Sequence, residues 1–122
     1  MATKILLVED DAYNLKAITI YLRLMGLEVE QAHDGFEALK QLDNSHFHVV
    51  VSDIRMPGLD GVELVKRIRH KLKGIPIVPI SGDPTAATDS IPRSEVLRVL
   101  TKPFMPSELL EVIRLAVIDQ ER

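Results

Sequence analysis

Two kinds of segment alternate along the chain: short apolar runs, and longer stretches in which apolar residues recur every three or four positions. The short runs are rich in Val and Ile and too short for helices, so they predict strands that are covered on both faces. They lie at Ile5–Val8, around Val29, at Val49–Val51, at Ile77–Ile80 and at Val96–Leu100.

The longer stretches have the spacing of amphipathic helices. Gly26 follows the first as a C-terminal cap, Gly74 and Pro76 end the third, and Pro106 lies in the first turn of the last. The apolar stripes are Leu15, Ile18, Leu22 and Met25; Phe36, Leu39 and Leu42; Leu64, Ile68 and Leu72; and, in the last helix, Leu109, Leu110, Val112, Ile113, Ala116 and Val117.

A further helix is expected between the fourth and fifth strands, but its sequence is a poor helix former. Pro84 and Pro92 bracket a segment that contains Thr85, Thr88 and Asp89. This pattern predicts a short or irregular fourth helix. Strands that alternate with helices pair in parallel through right-handed crossovers, so the chain is predicted to be an α/β protein with a doubly wound, five-stranded parallel sheet.

Length and composition exclude several classes of protein. The 122 residues fit one domain over 1–122. A net charge of -3 argues against direct nucleic-acid binding, and the absence of Cys excludes disulfides and thiolate metal sites. No apolar run approaches the ~20 residues of a membrane span, and the N-terminus lacks the pattern of a signal peptide. We therefore expect a cytoplasmic protein that does not associate with membranes.

Polar side chains follow four of the predicted strands at the points where they end. Glu9 and Asp10 follow the first strand, Asp53 the third, Ser81 the fourth and Lys102 the fifth. In an open α/β sheet, ligands bind beyond the carboxyl ends of the strands. These side chains are therefore expected at one edge of the sheet.

Such a set of side chains suits phosphoryl transfer. Clustered carboxylates repel each other, and a hard divalent cation such as magnesium relieves that repulsion and takes oxygen ligands. One carboxylate can then act as a nucleophile and form an acyl phosphate. Lys102 offers a positive charge to a phosphoryl oxygen, and Ser81 offers a hydroxyl donor.

The run from Asp53 to Gly61, Asp-Ile-Arg-Met-Pro-Gly-Leu-Asp-Gly, resembles the signature that follows the phosphorylated aspartate of bacterial response-regulator receiver domains. The acidic pair after the first strand, the Ser-Gly after the fourth and the Lys-Pro-Phe after the fifth match the same family in order and spacing. The resemblance covers essentially the whole chain. It implies a flavodoxin-like (βα)5 fold.

The resemblance also implies a role for each residue of the acidic edge. Asp53 would accept the phosphoryl group, and Asp10 would bind Mg²⁺ directly. Glu9 would bind the ion directly or through water, and the backbone carbonyl of Arg55 would complete the protein ligands. Asp11 is placed outside the set of metal ligands.

Ser81 and Lys102 would contact the phosphoryl group and couple it to loop movement, and the Lys102–Pro103 bond is expected to be cis. The phosphoryl donor implied is a histidine kinase or a histidine phosphotransfer protein. Receivers often carry a Tyr or Phe three positions before this lysine, and here the position is Val99. An aromatic switch of that kind is therefore not expected.

The same residues do not favour three other functions. A phosphatase of the haloacid-dehalogenase type would need a general acid two residues after the nucleophile, where this chain has Arg55. A flavodoxin or Rossmann domain would need a Gly-, Ser- or Thr-rich phosphate loop after the first strand, where this chain has acids. A receiver fold kept only as a scaffold would have lost an acidic or lysine position, and all are present.

Several charged and apolar residues lie outside this acidic edge. The basic run of the third helix is interpreted as a solvated face, and the histidines as surface residues. Ile20 and Leu24 are interpreted either as core in a widely buried first helix or as a docking ridge. Leu115 and Ile118 are interpreted in the same two ways, as core or as a contact surface. The more specific interpretation is a homodimer through the last helix. The basic run comprises Lys66, Arg67, Arg69, Lys71 and Lys73, and the histidines are His33, His46, His48 and His70.

Overall fold

The computed structural model describes residues 2–56, 58–72, 74–82 and 99–120, and within them the chain forms one parallel sheet with helices on both faces. The strands are β1 (Lys4–Val8), β2 (Glu28–Ala32), β3 (Val49–Asp53), β4 (Ile77–Ser81) and β5 (Leu100–Thr101). The helices are α1 (Ala12–Leu24), α2 (Gly35–Asn44), α3 (Gly61–Lys71) and α4 (Pro106–Gln120). The sheet order β2-β1-β3-β4-β5 confirms the predicted doubly wound, flavodoxin-like fold.

Each central strand contributes side chains to two separate apolar cores. In β1, Leu6 and Val8 join the core under α2 and α3, whereas Ile5 and Leu7 join the core under α1 and α4. All four side chains have no solvent exposure. Burial on both faces explains why the strands appear in the sequence as unbroken apolar runs.

Aspartate side chains begin the first three helices. Asp11, Asp34 and Asp60 are the N-caps of α1, α2 and α3, and each accepts hydrogen bonds from backbone amides of the first turn. The predicted cap at Gly26 is confirmed, because its φ of 91° is a conformation that suits glycine and its amide donates to the carbonyl of Arg23. The predicted start of the last helix at Pro106 is also confirmed.

The fifth strand differs from its prediction. In the described part of the chain it begins at Leu100 and continues to Thr101, and Val99 lies just before it. Among the described residues it pairs with β4, through Leu100 and Thr101. The predicted short or irregular helix of 83–94 and the predicted strand residues 96–98 lie outside the described residues.

Three residues of the predicted apolar stripes are exposed instead of buried. Met25 is 43% exposed and Leu72 36%, because both are C-caps, where the backbone has left the helix and the stripe no longer continues. Phe36 is 57% exposed in the first turn of α2, beside the turn at Gly58. The predicted stripes therefore ran one residue past the ends of α1 and α3, whereas Phe36 lies inside α2 but is not covered by the core.

The apolar residues of α1 and α4 that lie off the main stripes differ in how far they are exposed. Ile20 is 50% exposed and Leu24 75%, so the interpretation of α1 as a widely buried helix is wrong. In α4, Leu115 is partly buried and Ile118 is 49% exposed.

All four histidines are exposed, as predicted. Of the basic run, Lys66, Arg67 and Lys71 are exposed, Arg69 is partly exposed and Lys73 lies outside the described residues. Within the described ranges, no helix is both long and apolar enough to cross a bilayer.

Gly61 controls how closely α3 approaches the end of β3. A Cβ at this position would lie 2.5 Å from the carbonyl oxygen of Asp53 and 2.4 Å from the Cα of Ile54. The Gly61 amide donates to the Ile54 carbonyl at 2.8 Å, which fixes the same approach. Only a residue without a side chain allows this contact.

Gly61→Ala is expected to lower the free energy of unfolding by about 3 kcal/mol, because the new methyl group overlaps backbone atoms that cannot move aside as a side chain could. Urea denaturation would measure the change. Gly82→Ala is the control, since a Cβ there meets no atom of the described residues within 4 Å. Equal stabilities of the two variants would contradict the proposed role of Gly61.

Candidate functional site

The carboxyl ends of four strands bring polar side chains together at one edge of the sheet. Glu9 follows β1, Asp53 ends β3, Ser81 ends β4 and Lys102 follows β5. Glu9, Asp53 and Ser81 are 3%, 4% and 3% exposed, whereas Asp10 is exposed. The buried strands β1, β3 and β4 therefore end beside a compact group of buried polar residues.

Both carboxylate oxygens of Asp53 accept a hydrogen bond. The ammonium of Lys102 donates to Oδ2 at 2.6 Å, and the backbone amide of Arg55 donates to Oδ1 at 3.0 Å. The first contact joins residues from two strands that are separated by β4, and the second comes from the loop that follows Asp53 itself. Together they fix the orientation of the carboxylate at the edge.

Glu9 is held beside this pair. Its Oε1 accepts from the Asp11 amide at 3.1 Å, and its Oε2 lies 4.0 Å from the Lys102 ammonium. Burial raises the pKa of Glu9 from 4.5 to about 7, and the nearby Asp53 charge adds to the rise, although the Asp11 amide and Lys102 oppose it. Near neutral pH, Glu9 therefore holds a proton part of the time.

Lys102 is the cation at the edge. Burial would lower the pKa of Lys102, but the hydrogen bond and charge of Asp53, with the charges of Glu9 and Asp10, outweigh it and raise the pKa. Its backbone amide donates to the carbonyl of Ser81 at 2.8 Å. The Lys102–Pro103 peptide bond is cis, as predicted.

The acidic residues form a group that suits a magnesium ion. One carboxylate oxygen each from Glu9, Asp10 and Asp53 lies within 4.8 Å of the others. Mg²⁺ takes oxygen ligands at about 2.0–2.1 Å in an octahedral arrangement, so oxygens this close can converge on one ion with small side-chain shifts. The donor set therefore fits the ion.

Two features of this edge were not found from the sequence. Asp11 was placed outside the metal ligands, but its role as the α1 cap, with Oδ1 accepting from Tyr13 and Asn14, was not predicted. An Asp directly before a helical repeat is the signal for such a cap. The second feature is a cleft of about 510 Å³ beside Lys102, lined by Glu9, Asn14, Ile18, Lys102, Pro103, Phe104 and Pro106.

The chain matches the response regulator receiver domain model over residues 5–114. It is 36% identical over 121 residues to the C4-dicarboxylate transport transcriptional regulatory protein DctD of Pseudomonas aeruginosa. The aligned region covers 94% of this chain and 25% of that protein. Sensor kinases are also among its relatives. The chain spans a half or less of the length of the first curated relatives it matches.

Two solved structures are similar to the chain over nearly its whole length. A receiver domain protein of Methanospirillum hungatei has a TM-score of 0.93 at 27% identity, covering 99% of this chain and 98% of that one. The response regulator TrrA of Thermotoga maritima, solved in complex with Mg²⁺-BeF, has a TM-score of 0.85 at 27% identity, covering 93% and 98%. With the family match, these likenesses lead to one conclusion: the chain belongs to the response regulator receiver domains, the phospho-acceptor signalling domains of two-component systems.

Proposed function

We propose that Asp53 of this receiver domain accepts a phosphoryl group from a phosphohistidine of a histidine kinase or a phosphotransfer protein, in a reaction that requires magnesium. The observation that carries the proposal is the 2.6 Å contact between the Asp53 carboxylate and the Lys102 ammonium. It holds a buried nucleophile beside a cation, at an edge where Glu9 and Asp10 supply two more carboxylates.

In the transfer, an oxygen of Asp53 attacks the phosphorus atom, a P–O bond forms, and the P–N bond to the donor histidine breaks with its electrons returning to the imidazole. Lys102 lies close enough to Asp53 to offset negative charge on the incoming phosphoryl oxygens. Ser81, at the end of the neighbouring strand, would donate its hydroxyl to the same group. A bound magnesium ion would supply further charge neutralisation at the acidic group.

Four residues would hold that ion: Asp10 and Asp53 directly, Glu9 directly or through water, and Arg55 through its backbone carbonyl. The cluster of the Glu9, Asp10 and Asp53 carboxylates supports the first three ligands. The hydrogen bond from the Arg55 amide to Asp53 holds the Arg55 peptide at the same edge. A similar receiver solved with Mg²⁺-BeF supports the choice of ion.

Phosphorylation would then shift the domain between two conformations, through Lys102 and Ser81, which contact the phosphoryl group and lie on the two strands at one side of the sheet. The domain would promote both its own phosphorylation and the hydrolysis of the product, without turning over a separate substrate. Three positions before Lys102, where receivers often have a Tyr or Phe, this chain has Val99. The conformational change would therefore proceed without an aromatic side chain at that position.

The same proposal covers the setting of the domain. The chain would act as one receiver unit over 1–122 in the cytoplasm, where histidine kinases present their phosphohistidines. The half-exposed Ile118 supports a homodimer through α4. The net charge of -3 supports a protein partner instead of direct contact with nucleic acid.

Incubation with magnesium and a small acyl phosphate is expected to add one base-labile phosphoryl group to the wild-type chain and none to Asp53→Ala. Mass spectrometry of the intact protein would measure the product. Asp43→Ala, which removes an exposed aspartate paired with Lys71, is the matched control and should be phosphorylated normally. A phosphorylated Asp53→Ala protein would remove Asp53 as the acceptor.

Asp10→Ala is expected to weaken magnesium binding at least tenfold, because it removes a negatively charged ligand. Titration calorimetry would measure the affinity. The control is the neighbouring Asp11→Ala, which should lose about 1 kcal/mol of stability as a helix cap while keeping its magnesium affinity. Wild-type affinity in the Asp10 variant would contradict the metal role.

The raised pKa of Glu9 predicts a pH dependence of stability in the metal-free protein. The folded protein keeps a proton that the unfolded chain releases, so this stabilisation is complete below pH about 4.5 and is lost as the pH rises through about 7. The free energy of unfolding, measured in a chelating buffer, should fall more between pH about 5 and 8 for wild type than for Glu9→Gln. Parallel curves for the two proteins would count against the raised pKa.

A further inference from the structure

The loop between β3 and α3 would contribute to the magnesium site through its backbone. Asp53 ends β3, and the amide of Arg55 donates to Oδ1 of Asp53 at 3.0 Å. The Arg55 carbonyl is the ligand proposed from this loop. A peptide group is planar and has no rotamers of its own, so the direction of this carbonyl is set by the path of the loop. Contacts that fix the path of the loop therefore also fix the ligand.

Apolar side chains hold this loop in the core. Ile54 and Met56, on either side of Arg55, are each 7% exposed, and Leu59 is 5% exposed, whereas Arg55 is exposed. The three buried residues belong to the core under α2 and α3. Pro57, within the loop, lies outside the described residues. The loop is therefore packed against the interior while the Arg55 peptide faces the functional edge.

Backbone hydrogen bonds fix the two ends of the loop. The Ile54 amide donates to the carbonyl of Ile80 in β4 at 2.9 Å, and the Gly61 amide donates to the carbonyl of Ile54 at 2.8 Å. These bonds tie the ends to β4 and to the start of α3. Between the ends, the buried side chains of Met56 and Leu59 determine where the described part of the loop lies.

Leu59 packs against the first turn of α2, at Gly35. A Cβ on Gly35 would lie 2.8 Å from Cδ2 of Leu59 and 3.0 Å from both its Cβ and its Cγ. Carbon atoms in favourable contact are about 3.5–4.0 Å apart, so Leu59 occupies the space that a side chain at position 35 would need. Phe36 adds a second contact, because a Cβ on Gly58 would lie 3.6 Å from its Cε2.

The packing of Leu59, and not the backbone of α2, requires a glycine at position 35. Among the described residues, the glycines with positive φ are Gly26 and Gly58, so Gly35 has a backbone conformation that other residues adopt. Asp34 already caps the helix, with its side chain accepting from the Glu37 amide at 2.8 Å. The absence of a side chain at Gly35 thus serves the contact with the loop.

We propose that Leu59, packed on Gly35 of α2, is a positioning residue for magnesium binding. Its contact with α2 sets the path of the loop and, through it, the position of the Arg55 carbonyl. The inference rests on the proposed function, in which that carbonyl is a metal ligand. Helix α2 would then influence the affinity of a site to which it contributes none of the proposed ligands.

The test compares two leucines of one core. Leu59→Ala removes the contact with Gly35, and Leu42→Ala removes a leucine of the same core that is 7% exposed. Leu42 lies seven residues after Gly35, about 10 Å further along α2. Both substitutions leave a cavity, so both should lower the urea midpoint of unfolding. Leu59→Val and Leu42→Val repeat the comparison with a smaller loss of volume, so that the fold is kept.

The magnesium dissociation constant, measured by titration calorimetry, is expected to rise about tenfold in Leu59→Ala and to stay within about twofold of wild type in Leu42→Ala. A loss of affinity that followed stability alone would be the same in both variants. Equal magnesium affinities of the Leu59 and Leu42 variants would overturn the positioning role. Failure of wild type itself to bind magnesium would instead overturn the proposed function, and this inference with it.

A second measurement needs no metal. In a chelating buffer, the Arg55 amide is held by its hydrogen bond to Asp53. Hydrogen exchange of this amide, followed by NMR, should be at least about tenfold faster in Leu59→Ala than in Leu42→Ala, because the loop opens locally when Leu59 no longer holds it. Equal exchange rates in the two variants would show that Leu59 does not fix the Arg55 peptide and would overturn the proposal.

Gly35→Ala tests the same contact from the side of α2. Its methyl group would overlap Leu59 and should also weaken magnesium binding. In the double variant Gly35→Ala/Leu59→Ala, the methyl group enters the space that Leu59 has left, so magnesium affinity should be no lower than in the weaker-binding single variant. Losses of affinity that simply add would show that the two residues act separately and would overturn the shared contact.

Discussion

The ion pair between Lys102 and Asp53 is the contact on which the functional edge depends. It joins residues that are far apart in sequence, and it brings one positive charge into a group that holds three carboxylates. One cation faces three carboxylates, and one of these, Glu9, has a pKa that is raised chiefly by its burial. The edge is therefore electrostatically incomplete, and such a group favours the binding of a divalent cation and of a phosphoryl group together with it.

The fold provides this group at the ends of strands whose interior positions are mostly apolar. Strands β1 and β3 are covered on both faces, so the first positions where polar side chains can be tolerated are the strand ends. The close approach of α3 at Gly61 then holds the end of β3 against the helix that follows. The position of Asp53 is thus set by backbone packing, and its orientation by the two hydrogen bonds it accepts.

Most of the fold could be predicted because its determinants are local. Runs such as Ile5–Val8, the cap at Gly26 and the helix start at Pro106 depend on neighbours in sequence, and the parallel pairing of the strands follows from their alternation with helices. The strand order itself was implied by the family resemblance. The position of Asp53 beside Lys102 followed from the rule that strand ends meet at one edge. What failed was burial at helix ends: spacing cannot tell where the backbone leaves the helix, so Met25 and Leu72 were expected in the core.

The two faces of α1 illustrate a limit of another kind. Spacing identified Ile20 and Leu24 as apolar positions off the main stripe, but whether the fold covers them depends on where the neighbouring helices pack, which is not a local property. Once the sheet order puts α1 against β1 with its outer face in solvent, their exposure can only be explained by solvation or by another molecule. Single exposed apolar residues need no explanation, and the exposure of Ile20 and Leu24 is a property that their spacing in the sequence could not decide.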